Sequence, residues 1–172
     1  MAKTRKISRM GKTSSVVKGT KGSGMKAVAG GGKVYKFDFT ILSKKPESHM
    51  TPIEKMQRLS IGISKKDLED LKNRAELDYD KLAALLSVTR STLINKQGSE
   101  KFNPTLGERI IGLADIYSYG YEVFEDEERF NQWMFRQNTA LGGKTPYEIC
   151  NNQFGREEVR NVIGRIDYGV YS

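Results

Sequence analysis

The stretch Asp78–Gln97, DYDKLAALLSVTRSTLINKQ, decides the fold. Leu82, Ala83, Leu85 and Leu86 fall on one face at helical spacing. A second helix opens at Thr89, whose hydroxyl can accept from an unpaired first-turn N–H. Only Ser87 and Val88 lie between, with Val88 as the apolar plug of the turn. Two helices joined this tightly make a helix-turn-helix, whose second helix offers its early residues to the major groove. The DNA-binding candidates are therefore Thr89, Arg90, Ser91, Thr92, Asn95 and Lys96, with Leu93 and Ile94 expected to face inward. Arg and Asn suit bidentate contacts to guanine and adenine edges. An ordinary helical hairpin shares the pattern. Glycine is common in such turns, so Ser87 must take up an unusual backbone angle.

Upstream, Thr51, Pro52 and Glu54 mark a helix start, with Ile53, Met56 and Leu59 as its apolar side. Ser64 and Asp67 form a second start ahead of Leu68, Leu71 and Ala75. Downstream, Asn103 and Pro104 begin a long helix running to about Phe124, with a stripe of Leu106, Ile110, Leu113, Tyr117, Tyr121 and Phe124. Residues 51–124 thus read as five helices around one core. Residues 125–172 read as a second, smaller helical domain. Glu125–Glu128 supply negative charge to the start of a helix holding Phe130, Trp133 and Met134. Thr145, Pro146 and Glu148 repeat the start seen at Thr51, and a last helix over about Arg156–Asp167 buries Val159, Val162, Ile163 and Ile166. The expected class is all-α.

The remaining 50 residues differ in kind. Residues 1–36 hold ten of the 29 Lys and Arg and none of the 21 Asp and Glu, leaving 19 bases against 21 acids elsewhere. Within residues 51–124 eleven bases meet eleven acids. Residues 1–33, rich in Lys, Ser and Gly, read as a disordered basic arm that attracts phosphate backbone without reading sequence, or as a solubilising or regulatory tail. Within residues 34–50, Val34–Leu42 alternates Tyr35, Phe37, Phe39 and Ile41 with polar residues, the pattern of a short β-strand. Its pairing partner is a second copy, another protein or nothing.

The pattern for catalysis is thin. Gly143-Lys144-Thr145 matches the end of a phosphate-cradling loop, but Asn138 stands where the first glycine belongs and Pro146 removes a donating N–H. His49 is the single histidine and lacks neighbouring metal-ligand spacing; Cys150 has no nearby histidine to activate it. No enzyme, cofactor or metal site is expected. One cysteine fits a reducing cytoplasm, and no run approaches the roughly 18 apolar residues of a membrane span. Two features remain unabsorbed by packing, the glycine pair Gly142-Gly143, read as permitting close backbone approach, and the aromatic end Tyr168-Gly169-Val170-Tyr171-Ser172. That end either fills a partner's pocket or folds back on its own domain.

Trp133, Asn138-x-Ala140-Leu141-Gly142-Gly143-x-Thr145-Pro146, Gly155, Val159, Gly164-Arg165-Ile166 and Gly169-Val170-Tyr171-Ser172 together resemble the C-terminal toxin-binding domain of Xre/MbcA/ParS antitoxins, from RES–Xre type II toxin–antitoxin pairs. The resemblance spans about residues 53–172. It implies an antitoxin that neutralises a RES-domain toxin, an NAD-depleting enzyme similar to ADP-ribosyltransferases, by blocking its active-site entrance with the C-terminal segment. It also implies a homodimer that binds its own promoter. Carried over, Gly164–Ser172 is the plug, with Arg165, Tyr168, Gly169, Val170, Tyr171 and Ser172 as toxin contacts. Asn138, Leu141, Gly142, Gly143 and Pro146 shape the supporting junction. The rival from another class is a stand-alone helix-turn-helix repressor or nucleoid-associated protein.

Overall fold

Every α-helix among the described residues starts on a polar side chain that takes up a first-turn N–H. The computed structural model describes residues 45–169, so the arm over 1–33, the strand over 34–42 and Val170–Ser172 lie outside them. The helices are α1 (Pro52–Ile61), α2 (Lys65–Arg74), α3 (Tyr79–Leu86), α4 (Arg90–Ile94), α5 (Pro104–Phe124), α6 (Glu127–Trp133), α7 (Pro146–Ile149) and α8 (Gln153–Asp167). Their caps are Thr51, Ser64, Asp78, Thr89, Asn103, Asp126, Thr145 and Asn152. At Thr51, Ser64 and Thr145 the third helical residue returns the bond, so two orphan donors are satisfied at once. Each cap contributes about 1 kcal/mol, which matters most for α4 and α7, too short to persist alone. The described residues are mostly helical and hold no sheet, only an isolated bridge between Ser64 and Lys101.

α5 is the axis. Twelve of its 21 residues are buried, including Ile111, Ala114, Ile116 and Ser118 beside the stripe Leu106, Ile110, Leu113, Tyr117 and Tyr121. A single stripe is too narrow because α1, α3, α6, α8 and the 3-10 turn Glu47–His49 pack against different sides of it. Phe124 is only partly buried, at the end where the helix leaves the core. One contiguous apolar cluster runs from Ile63 to Ile163, crossing residue 125 without a break. The buried carboxylate of Asp115 is clamped at 2.8 Å by Lys55 of α1 and at 2.9 Å by Arg160 of α8. Three helices are thereby tied at one charge, which burial makes costly to leave unpaired.

That clamp explains one departure from the sequence pattern. α1 meets α5 through Lys55 and Leu59, one helical turn apart. Ile53 and Met56 are rotated away and stand 67% exposed each, not on the core side. Ile166 is likewise only partly buried. α8 also begins earlier than the apolar spacing indicates: Asn152 accepts from Gly155 N–H at 3.0 Å and opens the helix at Gln153.

α6 docks on α5 through a gap. Phe130 lies edge-on to Tyr117 and Tyr121, with both ring centroids 5.5 Å away, and stacks on Trp133 at 5.6 Å. A Cβ at Gly120 would sit 2.1 Å from the Phe130 ring. Tyr121 Oη donates to Arg74 carbonyl and lies 2.9 Å from Asn131 Oδ1, tying α2 to the same cluster. Gly120→Ala should therefore overpack this joint and cost about 1–3 kcal/mol in urea unfolding; a stability within experimental error of the parent would show that Phe130 can move aside.

Candidate functional site

The turn between α3 and α4 has the predicted outline and an unpredicted anchor. Ser87 takes φ 51° and ψ 49°, the left-handed conformation that ends α3. Its hydroxyl donates to the Asn151 carbonyl at 2.8 Å, in the corner between α7 and α8. Arg109 of α5 donates to the carbonyls of Leu86 at 2.9 Å and Ser87 at 3.2 Å. These carbonyls belong to the end of α3, where a guanidinium also complements the helix dipole. Val88 is partly buried against the core.

α4 is held from behind by α2. Lys65, itself buried, donates to the Leu93 carbonyl at 2.9 Å and to Tyr79 Oη at 2.7 Å. Thr89 Oγ1 accepts from Thr92 N–H at 3.3 Å. Thr89, Arg90, Ser91, Thr92 and Asn95 are exposed and Lys96 is partly buried. Arg90 lies 3.4 Å from Asp80 with both side chains in solvent, a pair too weak to hold it from another anion. The inward assignment is right for Leu93, fully buried, and wrong for Ile94, which is 41% exposed. The helix stops at Ile94 with Asn95 as its end, so one buried residue completes its core contact.

The second group of candidates lies at the other end of the chain. Between α5 and α8 an open groove of about 710 Å³ is lined by Tyr119, Glu158, Arg160, Asn161, Gly164, Arg165 and Tyr168. Arg160 lies over the Tyr119 ring at 4.6 Å while pairing with Asp115. Arg165 pairs with Glu158 at 3.1 Å. Burial, then the Asp167 carboxylate to which it donates, pushes the Tyr119 phenol up from its ordinary value. Tyr168 ends α8 and is 82% exposed; Gly169 follows at φ +68°. Val170, Tyr171 and Ser172 lie outside the described residues. Tyr119 and Arg160 escape a sequence reading because neither belongs to a motif and their partners are more than 40 positions away.

The loop over 138–145 is closed on itself. Asn138 Oδ1 accepts from Ala140 N–H, and the Asn138 carbonyl from Leu141 and Gly143 N–H. Gly142 and Lys144 N–H go to Thr139 and Leu141 carbonyls, and Thr145 N–H to Glu148 Oε2 at 2.7 Å. That last bond keeps the Glu148 carboxyl below its usual range. With these six consecutive donors engaged, the loop does not present a phosphate cradle. Gly142 and Gly143 take φ +66° and +77°, and a Cβ at either would meet nothing within 4 Å, so backbone angle and not close approach calls for glycine there. Leu141 and Pro146 are buried and support the loop; Gly142 and Gly143 are exposed and Asn138 is partly so. Cys150 is buried, and burial pushes its thiol up to about 12, a protonated and unreactive state. Among the described residues no group of three His, Cys, Asp or Glu could hold a metal ion. No helix among them is long and apolar enough to cross a membrane.

Residues 57–115 match the antitoxin Xre-like helix-turn-helix domain, and residues 120–169 the antitoxin Xre/MbcA/ParS C-terminal toxin-binding domain. A curated relative, "Antitoxin Xre" of Photorhabdus laumondii subsp. laumondii, is 32% identical over 76 residues, 44% of this chain and 51% of the relative. Another "Antitoxin Xre", from Yersinia enterocolitica serotype O:8 / biotype 1B, is 27% identical over 85 residues, 49% of this chain and 57% of the relative. The matches span about half the length of these curated relatives.

The anchored turn makes a stability prediction. Ser87→Ala keeps the left-handed backbone and loses the bond to Asn151, and should cost about 1 kcal/mol in urea unfolding. Ser87→Gly loses the same bond but frees the backbone angle, and should recover most of that cost. Equal stability of Ser87→Ala and the parent would mean that the Asn151 bond contributes nothing.

Proposed function

The chain belongs to the Xre/MbcA/ParS-type antitoxins, and from that premise we propose that it neutralises a RES-domain toxin with its C-terminal segment and represses its own promoter through α3 and α4. The observation that carries the toxin half is the end of α8, where Tyr168 stands 82% exposed beside an open groove. An aromatic ring so placed gains more by entering a partner's apolar pocket than by staying in water. On this reading Gly164–Ser172 enters the toxin's active-site mouth and inhibition is steric, with no chemistry performed by the antitoxin. Arg165 is displaced from Glu158 onto acidic or polar toxin groups, and the closed loop over 138–145 keeps the base of the segment in place. The proposed setting is the cytoplasm, and the proposed DNA-binding unit is a homodimer.

The promoter half rests on the exposed set Thr89, Arg90, Ser91, Thr92 and Asn95, with Lys96 at its edge. Arg90 exchanges Asp80 for a guanine edge, and Asn95 suits adenine. The arm over residues 1–33 adds phosphate attraction that the balanced charge of 51–124 does not supply.

Deleting Tyr168–Ser172 should leave thermal unfolding unchanged and weaken the toxin complex at least about tenfold, the weight of one buried aromatic side chain. Calorimetric titration against the purified toxin measures this, and undiminished affinity would remove the plug. Arg90→Ala should relax recognition at one base position by ~1–3 kcal/mol in competition binding. A uniform loss across random duplexes would make Arg90 a phosphate contact instead.

A further inference from the structure

The outward-facing apolar residue of α4 points to a function. Leu93 alone faces the core, while Arg90, Ser91, Ile94 and Asn95 fall within an arc of roughly 140° at helical spacing. Ile94 projects between Arg90 and Ser91 in that arc, so an apolar side chain interrupts the polar face. Single exposed apolar residues are common on protein surfaces, and exposure by itself says little. Placement says more, because this is the face of the helix that a major groove would meet.

We propose that Ile94 reads the 5-methyl group of a thymine. This rests on the promoter-binding reading above and deepens it. A thymine edge offers one carbonyl acceptor and one methyl group, and an apolar contact is the means of sensing the methyl. Arg90 and Asn95 have hydrogen-bonding partners on guanine and adenine but gain nothing from a methyl. A β-branched side chain has few rotamers, so ordering Ile94 against a base costs little entropy. Residues 51–124 carry eleven bases and eleven acids, so phosphate attraction from this part of the chain is small and base-edge contacts must supply selectivity.

The test uses the full chain. A binding site is first selected from a pool of random-sequence duplexes, and each thymine in it is then replaced by deoxyuridine, which lacks only the methyl. At one position the parent should lose about fourfold in affinity, the weight of one buried methyl group. Ile94→Ala should bind the thymine duplex about fourfold more weakly and lose its sensitivity at that position. Circular dichroism should be unchanged, since Ile94 adds little to the core. A parent insensitive at every thymine, or an Ile94→Ala variant as sensitive as the parent, overturns the proposal while leaving promoter binding intact. A pool that yields no preferred sequence removes the promoter reading and Ile94 with it. A lower molecular mass for Ile94→Ala in light scattering would overturn it too, by making Ile94 a contact between two copies of the chain.

Discussion

A helix buried on most of its circumference needs a partner on every side, and α5 is such a helix. Its twelve buried residues cannot be covered by the helix-turn-helix part alone, nor by the C-terminal helices alone. Asp115 makes the dependence electrostatic as well as apolar. Its carboxylate is satisfied only when Lys55 from one side and Arg160 from the other are both in place. Removing either leaves a buried charge half-compensated, the costly way to break such a site. The two family matches meet within this helix, one ending at residue 115 and the other starting at 120.

The same helix supports both the turn before α4 and the last turns of α8. Arg109 of α5 grips the turn before α4, while Tyr119 and Gly120 of α5 receive α8 and α6. Ser87 and Tyr147 extend the connection, through the Asn151 carbonyl and the Lys81 carbonyl respectively. Phe135 stacks on Tyr147 at 4.9 Å, and Lys81 of α3 lies over Phe135 at 5.3 Å. α3 and the turn after it thus rest on residues contributed by the C-terminal part of the sequence. What each end offers outward is short: α4 offers one turn, and α8 its last few residues.

Much of this was legible in the sequence because it is local. A cap lies three residues from the N–H it satisfies, and Thr51, Ser64, Thr89, Asn103 and Thr145 are caps in the structure as the spacing indicates. The turn at Ser87 was legible for the same reason, down to an unusual backbone angle, which the structure shows to be left-handed. Exposure was less legible. Ile53, Met56 and Ile94 are apolar at helical spacing yet face outward, since an amphipathic pattern does not say which apolar residue a neighbour will choose to cover. Gly120 carried no motif at all, and its role appears only when Phe130 arrives from the next helix.

By itself, then, the amino-acid sequence determined where helices begin, which residues could turn, and the family resemblance spread over residues 53–172, because each is a matter of local chemistry or of ordered spacing. Tertiary structure alone decided that Asp115 binds two cations, that Ser87 reaches Asn151, that Tyr119 and Arg160 wall a groove, and that Ile94 stands among the residues facing outward. Those facts join residues tens of positions apart or depend on which face a neighbour covers. Such contacts are settled by burial against neighbours, a property of the folded chain that no local window contains.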